Sequence, residues 1–274
     1  MKTLFLSNMR PALFFKFVSI SFQKQVAYKF DCIVGVINGF LYVFIFTSLW
    51  KALYAQPDTS THNGFTLNTI ITYAVMVMAV RISFSMDDSV IHKKVYDGSI
   101  ATELIRPTSF FFMHLAESVG YSLFHIMART VPIIVISMLL FDVSIPLEPL
   151  RMLIFFFSAF AGYILLFMLN FAMGLLAFWF VEIFPFMLFK YALFTFFSGG
   201  IVPPDFFPDF LKQVVYFLPF QYMLYVPTTI LIGKAPLADI PAILAAQLIW
   251  VFIMGVICII TWNYGKKKLI IQGG

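Results

Sequence analysis

The chain has 274 residues, of which 61% are hydrophobic and 11% are charged, and its mean hydropathy is +0.94. Soluble domains have about a quarter of their residues charged, so this composition excludes an ordinary soluble protein and predicts one membrane domain. The net charge of +5 comes from cations scattered along the edges of apolar segments, so no nucleic-acid partner is expected. Cys32 and Cys258 both lie in apolar segments, and neither a disulfide framework nor a metal site is predicted.

The N-terminal segment, residues 1–31, is predicted to be cytoplasmic and to contain an interfacial helix over Ala12–Phe30. An apolar stripe of Phe15, Val18, Phe22 and Val26 runs at helical spacing beside Lys16, Ser19 and Gln23. We expect this helix to lie on the membrane surface and to orient the first span. Lipid is therefore expected to be one of its partners.

Six apolar segments are near or above the length of about 20 residues that a helix needs to cross a bilayer. Continuous apolar runs without strict alternation favour helices over a membrane barrel. The predicted fold class is an all-α membrane protein with six transmembrane helices, an interfacial helix, a cytoplasmic coupling helix and an outer re-entrant hairpin. The predicted domain is 32–264, and its spans are 32–54, 69–86, 111–141, 151–181, 185–202 and 240–264.

The distribution of Lys and Arg predicts the orientation, because cytoplasmic flanks retain these residues. Twelve of the 18 cations lie in the N-terminal segment, after the second span, or in the basic tail 265–274. Both termini are therefore predicted to be cytoplasmic.

The segment 87–107 is long for a simple inner connector. Its charged and apolar residues alternate in a pattern that fits one short helix ended by Gly98, followed by a second short piece from Ile100 to Ile105. Two interpretations are open: a solvated turn between spans, or a docking element for a cytoplasmic partner.

The segment 203–238 follows the strong helix breakers Gly199, Gly200 and Pro203. Pro219 and other prolines interrupt its apolar run, so it is too broken to span. It is predicted to form two re-entrant or interfacial half-helices on the outer side. They would form an exit lid or a passive plug.

Two features within the spans suggest helix contacts. Gly35 and Gly39 form a Gly-x-x-x-Gly pair, which lets another helix approach closely, either in a dimer or within the chain. Arg129 lies in the third span, where a charge costs about 3 kcal/mol and normally has a partner or a function. It would face a carboxylate or carbonyl as a structural contact, or it would serve the transport path or its gating.

These residues resemble the type-2 (ABC-2-like) permeases, the membrane subunits of bacterial ATP-binding-cassette (ABC) exporters. The resemblance covers most of the chain, and no single motif decides it. It rests on Leu49–Tyr54, on the loop Tyr96–Pro107, and on Gly199–Pro203 followed by Phe207-Pro208, Leu218-Pro219-Phe220 and Pro227.

The resemblance implies a non-catalytic permease subunit in the bacterial cell membrane. It would work with two ABC ATPase subunits and a second permease, identical or paralogous, and would export an amphipathic, lipid-like, peptide or antibiotic cargo. The chain has no Gly-x-x-x-x-Gly-Lys-Ser/Thr phosphate loop, so ATP and Mg are expected on the partner ATPases and no cofactor in this chain.

The resemblance also implies roles for three sets of residues. Gly35 and Gly39 would pack in the permease dimer, and Arg129 is a candidate for the path or its gating. The outer gate would contain Gly199, Gly200, Pro203, Pro204, Pro208 and Pro219. ATPase coupling would involve Asp87, Asp88, Lys93, Lys94, Tyr96, Gly98, Glu103, Arg106 and Pro107.

Two other functions are open on the sequence. An ion-driven transporter or channel would work without an ATPase and would be expected to have more acidic residues in its spans. An intramembrane enzyme would need convergent catalytic groups, and His62, His92, His114 and His125 are too dispersed to form an evident set.

Overall fold

The computed structural model describes residues 10–55, 63–141, 143–146 and 148–268. His62, the first nine residues and the last six residues of the predicted tail lie outside the described ranges. Within those ranges the regular elements are helices, with no β-strand. The α-helices are α1 Pro11–Val26, α2 Lys29–Leu53, α3 Leu67–Ser83, α4 Val90–Tyr96, α5 Ile100–Ile105, α6 Phe110–His125, α7 Val131–Leu140, α8 Pro149–Leu175, α9 Phe184–Phe197, α10 Asp209–Tyr216, α11 Tyr225–Leu231 and α12 Ile240–Gly265.

Four stretches of the described chain are long and apolar enough to cross a membrane: Phe30–Leu53, Phe110–Leu140, Pro149–Phe178 and Ile240–Gly265. The shorter apolar helices α3 and α9 occupy the positions predicted for the second and fifth spans. At a rise of 1.5 Å per residue they are about 25 Å and about 21 Å long, less than the roughly 30 Å of a hydrocarbon core. The all-helical membrane class is confirmed, and the count of six spans stays a prediction.

Helix ends follow local chemistry more closely than hydropathy does. A proline in the first turn begins α1, α8, α9 and α12, where its missing N–H needs no partner. The helix in the predicted fifth span ends earlier than the apolar run, at Phe197, because Gly199 adopts φ +78° and turns the chain. The third span is interrupted by a π-helical turn, Ile126–Thr130, between α6 and α7.

The N-terminal helix α1 lies against α6. The Ser21 hydroxyl donates to the Glu117 carbonyl at 2.6 Å, and Phe22 packs edge-on against Phe124. Gly120 is the contact point on α6, since a Cβ there would collide with the carbonyl oxygen of Val18. The helix predicted near residues 12–30 is therefore a packed partner of the third span.

The largest core lies between α3, α8, α11 and α12. At its centre the fully buried Gln247 of α12 exchanges two hydrogen bonds with Ser158 of α8 and donates to the Tyr222 carbonyl at 2.9 Å. A smaller core joins α4, α5 and α6 to the C-terminal ends of α8 and α12. We call the end of the bundle that carries α4 and α5 the inner end.

The broken segment after α9 contains two short helices, α10 and α11, as its proline spacing suggests. A 3-10 turn at Pro204–Phe206 precedes α10, and a second one at Pro219–Tyr222 joins α10 to α11. Helix α11 is almost wholly buried against α8 and α3, whereas Phe210 of α10 is 78% exposed. The segment is therefore a folded block seated on the bundle.

Candidate functional site

Residues 87–107 fold as the two short helices α4 and α5. Gly98 separates them with φ +74°, a backbone conformation that favours glycine. The Asp97 carboxylate accepts the Ser99 amide at 2.9 Å and fixes the start of α5. Asp87 makes the equivalent bond at the turn before α4, with a distance of 3.0 Å. Short polar side chains therefore shape both helix starts.

The inward faces of α4 and α5 are apolar and buried. Ile91 of α4 is 5% exposed and Ile100 of α5 is fully buried. Helix α4 approaches α8 closely at Gly174, where an added Cβ would be 3.0 Å from the Cβ of Ile91. The two short helices are thus attached to the bundle as a platform.

A cluster of four charged or titratable side chains fixes the platform to α6. The Lys94 ammonium lies 2.6 Å from the Glu103 carboxylate and 3.4 Å from that of Glu117. The His114 ring stands between the same two acids, with Nε2 3.3 Å from Glu103 and Nδ1 3.6 Å from Glu117. The cluster therefore ties both α4 and α5 to the third span.

Glu103 is the most strongly perturbed carboxyl in this cluster. Burial favours its neutral form, but the hydrogen bonds and charges of His114 and Lys94 outweigh that effect and lower the pKa of Glu103 to about 2. Its side chain is only 10% exposed. Glu103 is therefore ionised at neutral pH and holds the Lys94 ammonium in place.

A second polar contact joins the start of the platform to α8 and α9. Lys190 of α9, with a side chain 7% exposed, forms an ion pair with Asp88 and donates to the Asn170 side chain of α8 at 2.8 Å. These two partners hold the buried ammonium of Lys190 between the start of the platform and α8.

The outward surface of the platform is uncovered within the chain. Tyr96 is 64% exposed and Ile105 is 82% exposed. Other exposed residues of the same surface are Lys93, Asp97, Ser99, Thr102, Arg106 and Pro107. The coupling residues named from the sequence thus divide into an inner set, with Asp88, Lys94 and Glu103, and an outer set, with Lys93, Tyr96, Arg106 and Pro107.

Arg129 has a carboxylate partner, Asp31, at the start of α2. The two side chains approach to 2.5 Å, and Arg129 also donates to the Asp31 carbonyl at 3.0 Å. Gly35 makes room for the guanidinium, since a Cβ there would be 2.5 Å from Arg129 Cζ. Gly39 is likewise covered by Ile133 of α7. Both glycines therefore have contacts within the chain, and a role in a dimer stays a prediction.

The glycines of the outer segment are held by tyrosine hydroxyls. Tyr73 donates to the Gly199 carbonyl at 2.7 Å, and Tyr42 donates to that of Gly200 at 2.5 Å. The predicted gate prolines lie at element ends: Pro203 and Pro204 at one 3-10 turn, Pro208 before α10, and Pro219 at the other 3-10 turn. These glycines and prolines determine where the chain turns within the block.

An ion pair closes this block on its exposed side. Lys234 lies 2.6 Å from Asp205 and 3.5 Å above the Phe65 ring, and Tyr225 donates to Asp205 at 2.8 Å. These contacts link the chain before α3 to both ends of the segment, which gives the block several independent attachments.

A family model for ABC-2 family transporter proteins matches residues 32–273, nearly the whole chain. The chain belongs to the ABC-2 transporter family. Members are generally non-catalytic membrane subunits that work with ABC ATPase subunits. No curated protein and no solved structure gives a significant match.

Three site residues of this ABC-2 transporter were not recognised from the sequence. Asp31 and Lys190 each form an ion pair with a residue about 100 positions away in the chain. Arg81 lies within α3 and donates to the Tyr191 hydroxyl of α9 at 3.2 Å. A charge inside an apolar helix was the available signal.

Proposed function

We propose that this ABC-2 transporter is the permease subunit of an ATP-driven exporter, with the α4–α5 platform as its docking surface for an ABC ATPase. The observation that carries the proposal is the two-sided construction of the platform. Tyr96 and Ile105 are exposed on its outer surface. Its inner surface is attached to the membrane helices by ion pairs.

The fastening suggests how an ATPase would move the spans. Helix α4 is joined to α6 through Lys94, to α8 through Ile91, and to α9 through Asp88 just before its start. Displacement of a packed element shifts its neighbours, because close-packed interiors transmit strain. Closure of the ATPases would therefore push α4 and reposition three helices together.

The remaining parts of the proposal rest on the family resemblance. Two permeases, identical or paralogous, would enclose a central path between their α2 and α9 helices, with six spans each and both termini cytoplasmic. The block between α9 and α12 would be the re-entrant exit lid. Two ATPase subunits would hold ATP and Mg, and an amphipathic, peptide or antibiotic cargo would leave the cell.

Co-purification tests the docking surface. The affinity-tagged chain is solubilised from its native membranes, the retained subunits are identified by mass spectrometry, and ATP hydrolysis is measured. Ile105→Asp puts a charge into the proposed interface and should lower ATPase retention by about tenfold, a loss of roughly 1.4 kcal/mol.

Phe210→Asp is the matched control, since Phe210 is 78% exposed on α10, away from the platform. It should retain the ATPase as the unaltered chain does. Equal retention by the Ile105 and Phe210 variants would rule out the docking surface. An unaltered chain that transports without any ATPase would favour an ion-driven transporter or channel instead.

A further inference from the structure

Arg81 places a positive charge between α3 and α9. It lies two residues before Ser83, the last residue of α3. Its guanidinium is directed toward α9. It donates to the hydroxyl of Tyr191, at the middle of α9, and a Cβ built on Gly200 would be 3.8 Å from its Nη1.

Tyr42 fixes the depth of this charge. It interacts electrostatically with Arg81 and donates to the Gly200 carbonyl. On α2 it lies eleven residues beyond Asp31, which is about 16 Å along the helix axis. Tyr42 is the fourteenth of the 25 residues of α2, and Tyr191 is the eighth of the 14 residues of α9. The Arg81 guanidinium is therefore near the middle of both helices.

The charge has no acidic partner there. Among the described residues no carboxylate forms an ion pair with Arg81, and its side-chain hydrogen bond goes to the neutral hydroxyl of Tyr191. Helices α3, α8, α9 and α12 contain no Asp or Glu, and the acids of α2 and α6, Asp31 and Glu117, are paired with Arg129 and Lys94. Asp88 reaches the residue beside Tyr191 on α9, where its carboxylate is paired with Lys190.

The hydrogen bond between the Arg81 and Tyr191 side chains is also exposed on the surface between α2 and α9. Tyr191 is 53% exposed, and Leu188, one turn before it on α9, is 56% exposed. Leu41, next to Tyr42 on α2, is 47% exposed. A charge facing hydrocarbon costs about 3 kcal/mol or more, so such a site favours a polar path or an anionic ligand. Apolar walls beside one cation suit a molecule with an apolar body and an anionic group.

We propose that Arg81 binds the anionic group of an amphipathic cargo, a carboxylate or phosphate, while the exposed side chains of α2 and α9 hold its apolar part. This inference rests on the proposed transport function and narrows its cargo class. It makes Arg81 a specificity-determining residue, with the Tyr191 hydroxyl orienting the guanidinium until an anion arrives.

Direct binding tests the inference without requiring ATP hydrolysis. The full chain, with the subunits that co-purify, is placed in zwitterionic nanodiscs, and radiolabelled dodecyl phosphate, dodecanoate or dodecyltrimethylammonium is added. Binding above that of empty nanodiscs should favour the two anions over the cation by about tenfold. Equal binding of anions and cation would overturn the inference on the unaltered protein alone.

Substitutions then assign the preference to Arg81. Arg81→Gln should weaken dodecyl phosphate binding by about tenfold, while Arg81→Lys should stay within about threefold because it keeps the charge. Lys51→Gln is the control, because Lys51 is an exposed cation near the C-terminal end of α2. This variant should bind dodecyl phosphate as the unaltered chain does. Unchanged anion binding by Arg81→Gln would refute the assignment, and if that variant fails to fold, a tenfold loss in Arg81→Lys would refute it.

Competition by inorganic phosphate tests whether the apolar part of the ligand is needed. If inorganic phosphate displaces dodecyl phosphate at the same concentration as dodecanoate does, the alkyl chain contributes nothing to binding, and the assignment of an amphipathic cargo is wrong. Failure of the transport proposal has a different signature, since a chain that retains no ATPase can still show the anion preference and its loss in Arg81→Gln.

Discussion

The ion pair between Asp88 and Lys190 predicts an asymmetry between two single substitutions. The Lys190 side chain is 7% exposed, whereas that of Asp88 is 39% exposed. Asp88→Asn leaves a buried ammonium without its counter-charge, whereas Lys190→Met leaves a carboxylate that still reaches water. Asp88→Asn should therefore be the more destabilising change, although Lys190→Met removes the hydrogen bond to Asn170 as well as the ion pair.

The magnitudes follow from the two exposures. Stranding a buried charge costs about 3 kcal/mol, so Asp88→Asn should lower the free energy of unfolding by about that amount. Lys190→Met should cost about 1 kcal/mol, the scale of a lost hydrogen-bonded contact with a hydrated partner. The double variant should also cost about 1 kcal/mol and not the sum of about 4 kcal/mol, because no unpaired charge remains.

Unfolding in mixed micelles by increasing dodecyl sulfate, followed by the fluorescence of the four tryptophans, measures these free energies. The three variants and the unaltered chain form one thermodynamic cycle. A cost for Lys190→Met equal to or above that of Asp88→Asn would refute the reasoning, as would additive costs in the double variant.

Two further substitutions are measured in the same assay. The pKa of Glu103 is about 2 in the folded chain against an ordinary 4.5, so ionised Glu103 contributes about 3 kcal/mol to the free energy of unfolding above pH 4.5 and about 1 kcal/mol at pH 3. The destabilisation caused by Glu103→Gln should therefore become smaller on acidification. A destabilisation that does not change with pH would contradict this. Gly35→Ala should destabilise by about 2 kcal/mol because its methyl group meets Arg129, whereas Gly255→Ala, whose nearest contact would be 3.7 Å away, should be within about 0.5 kcal/mol of the unaltered chain.

The positions of the helices could be predicted because local chemistry determines them. Long apolar runs gave α2, α8 and α12 close to their observed limits, and Gly98 separates two short helices as its conformational freedom suggests. The end of α9 was misplaced because hydropathy continues past Phe197, whereas the backbone turns at Gly199.

The polar contacts of the candidate site could not be predicted in the same way. Lys94 and Glu103 are near in sequence, but the second partner of Lys94, Glu117, is reached only once α6 stands beside the platform. The pairs of Asp88 with Lys190 and of Asp31 with Arg129 join residues about 100 positions apart. Such pairs depend on which helices are neighbours, and hydrophobic periodicity does not contain that information.

The π-helical turn at Ile126–Thr130 divides the third span into two parts whose faces are rotated relative to each other. One extra residue per turn rotates everything beyond it by about 100° relative to a continuous α-helix. Gly120 before the turn therefore faces α1, while Ile133 after it faces Gly39 of α2. A single helical wheel drawn through this span would average two unrelated faces, and the number of residues between Gly120 and Ile133 is itself a structural requirement, whatever their identities.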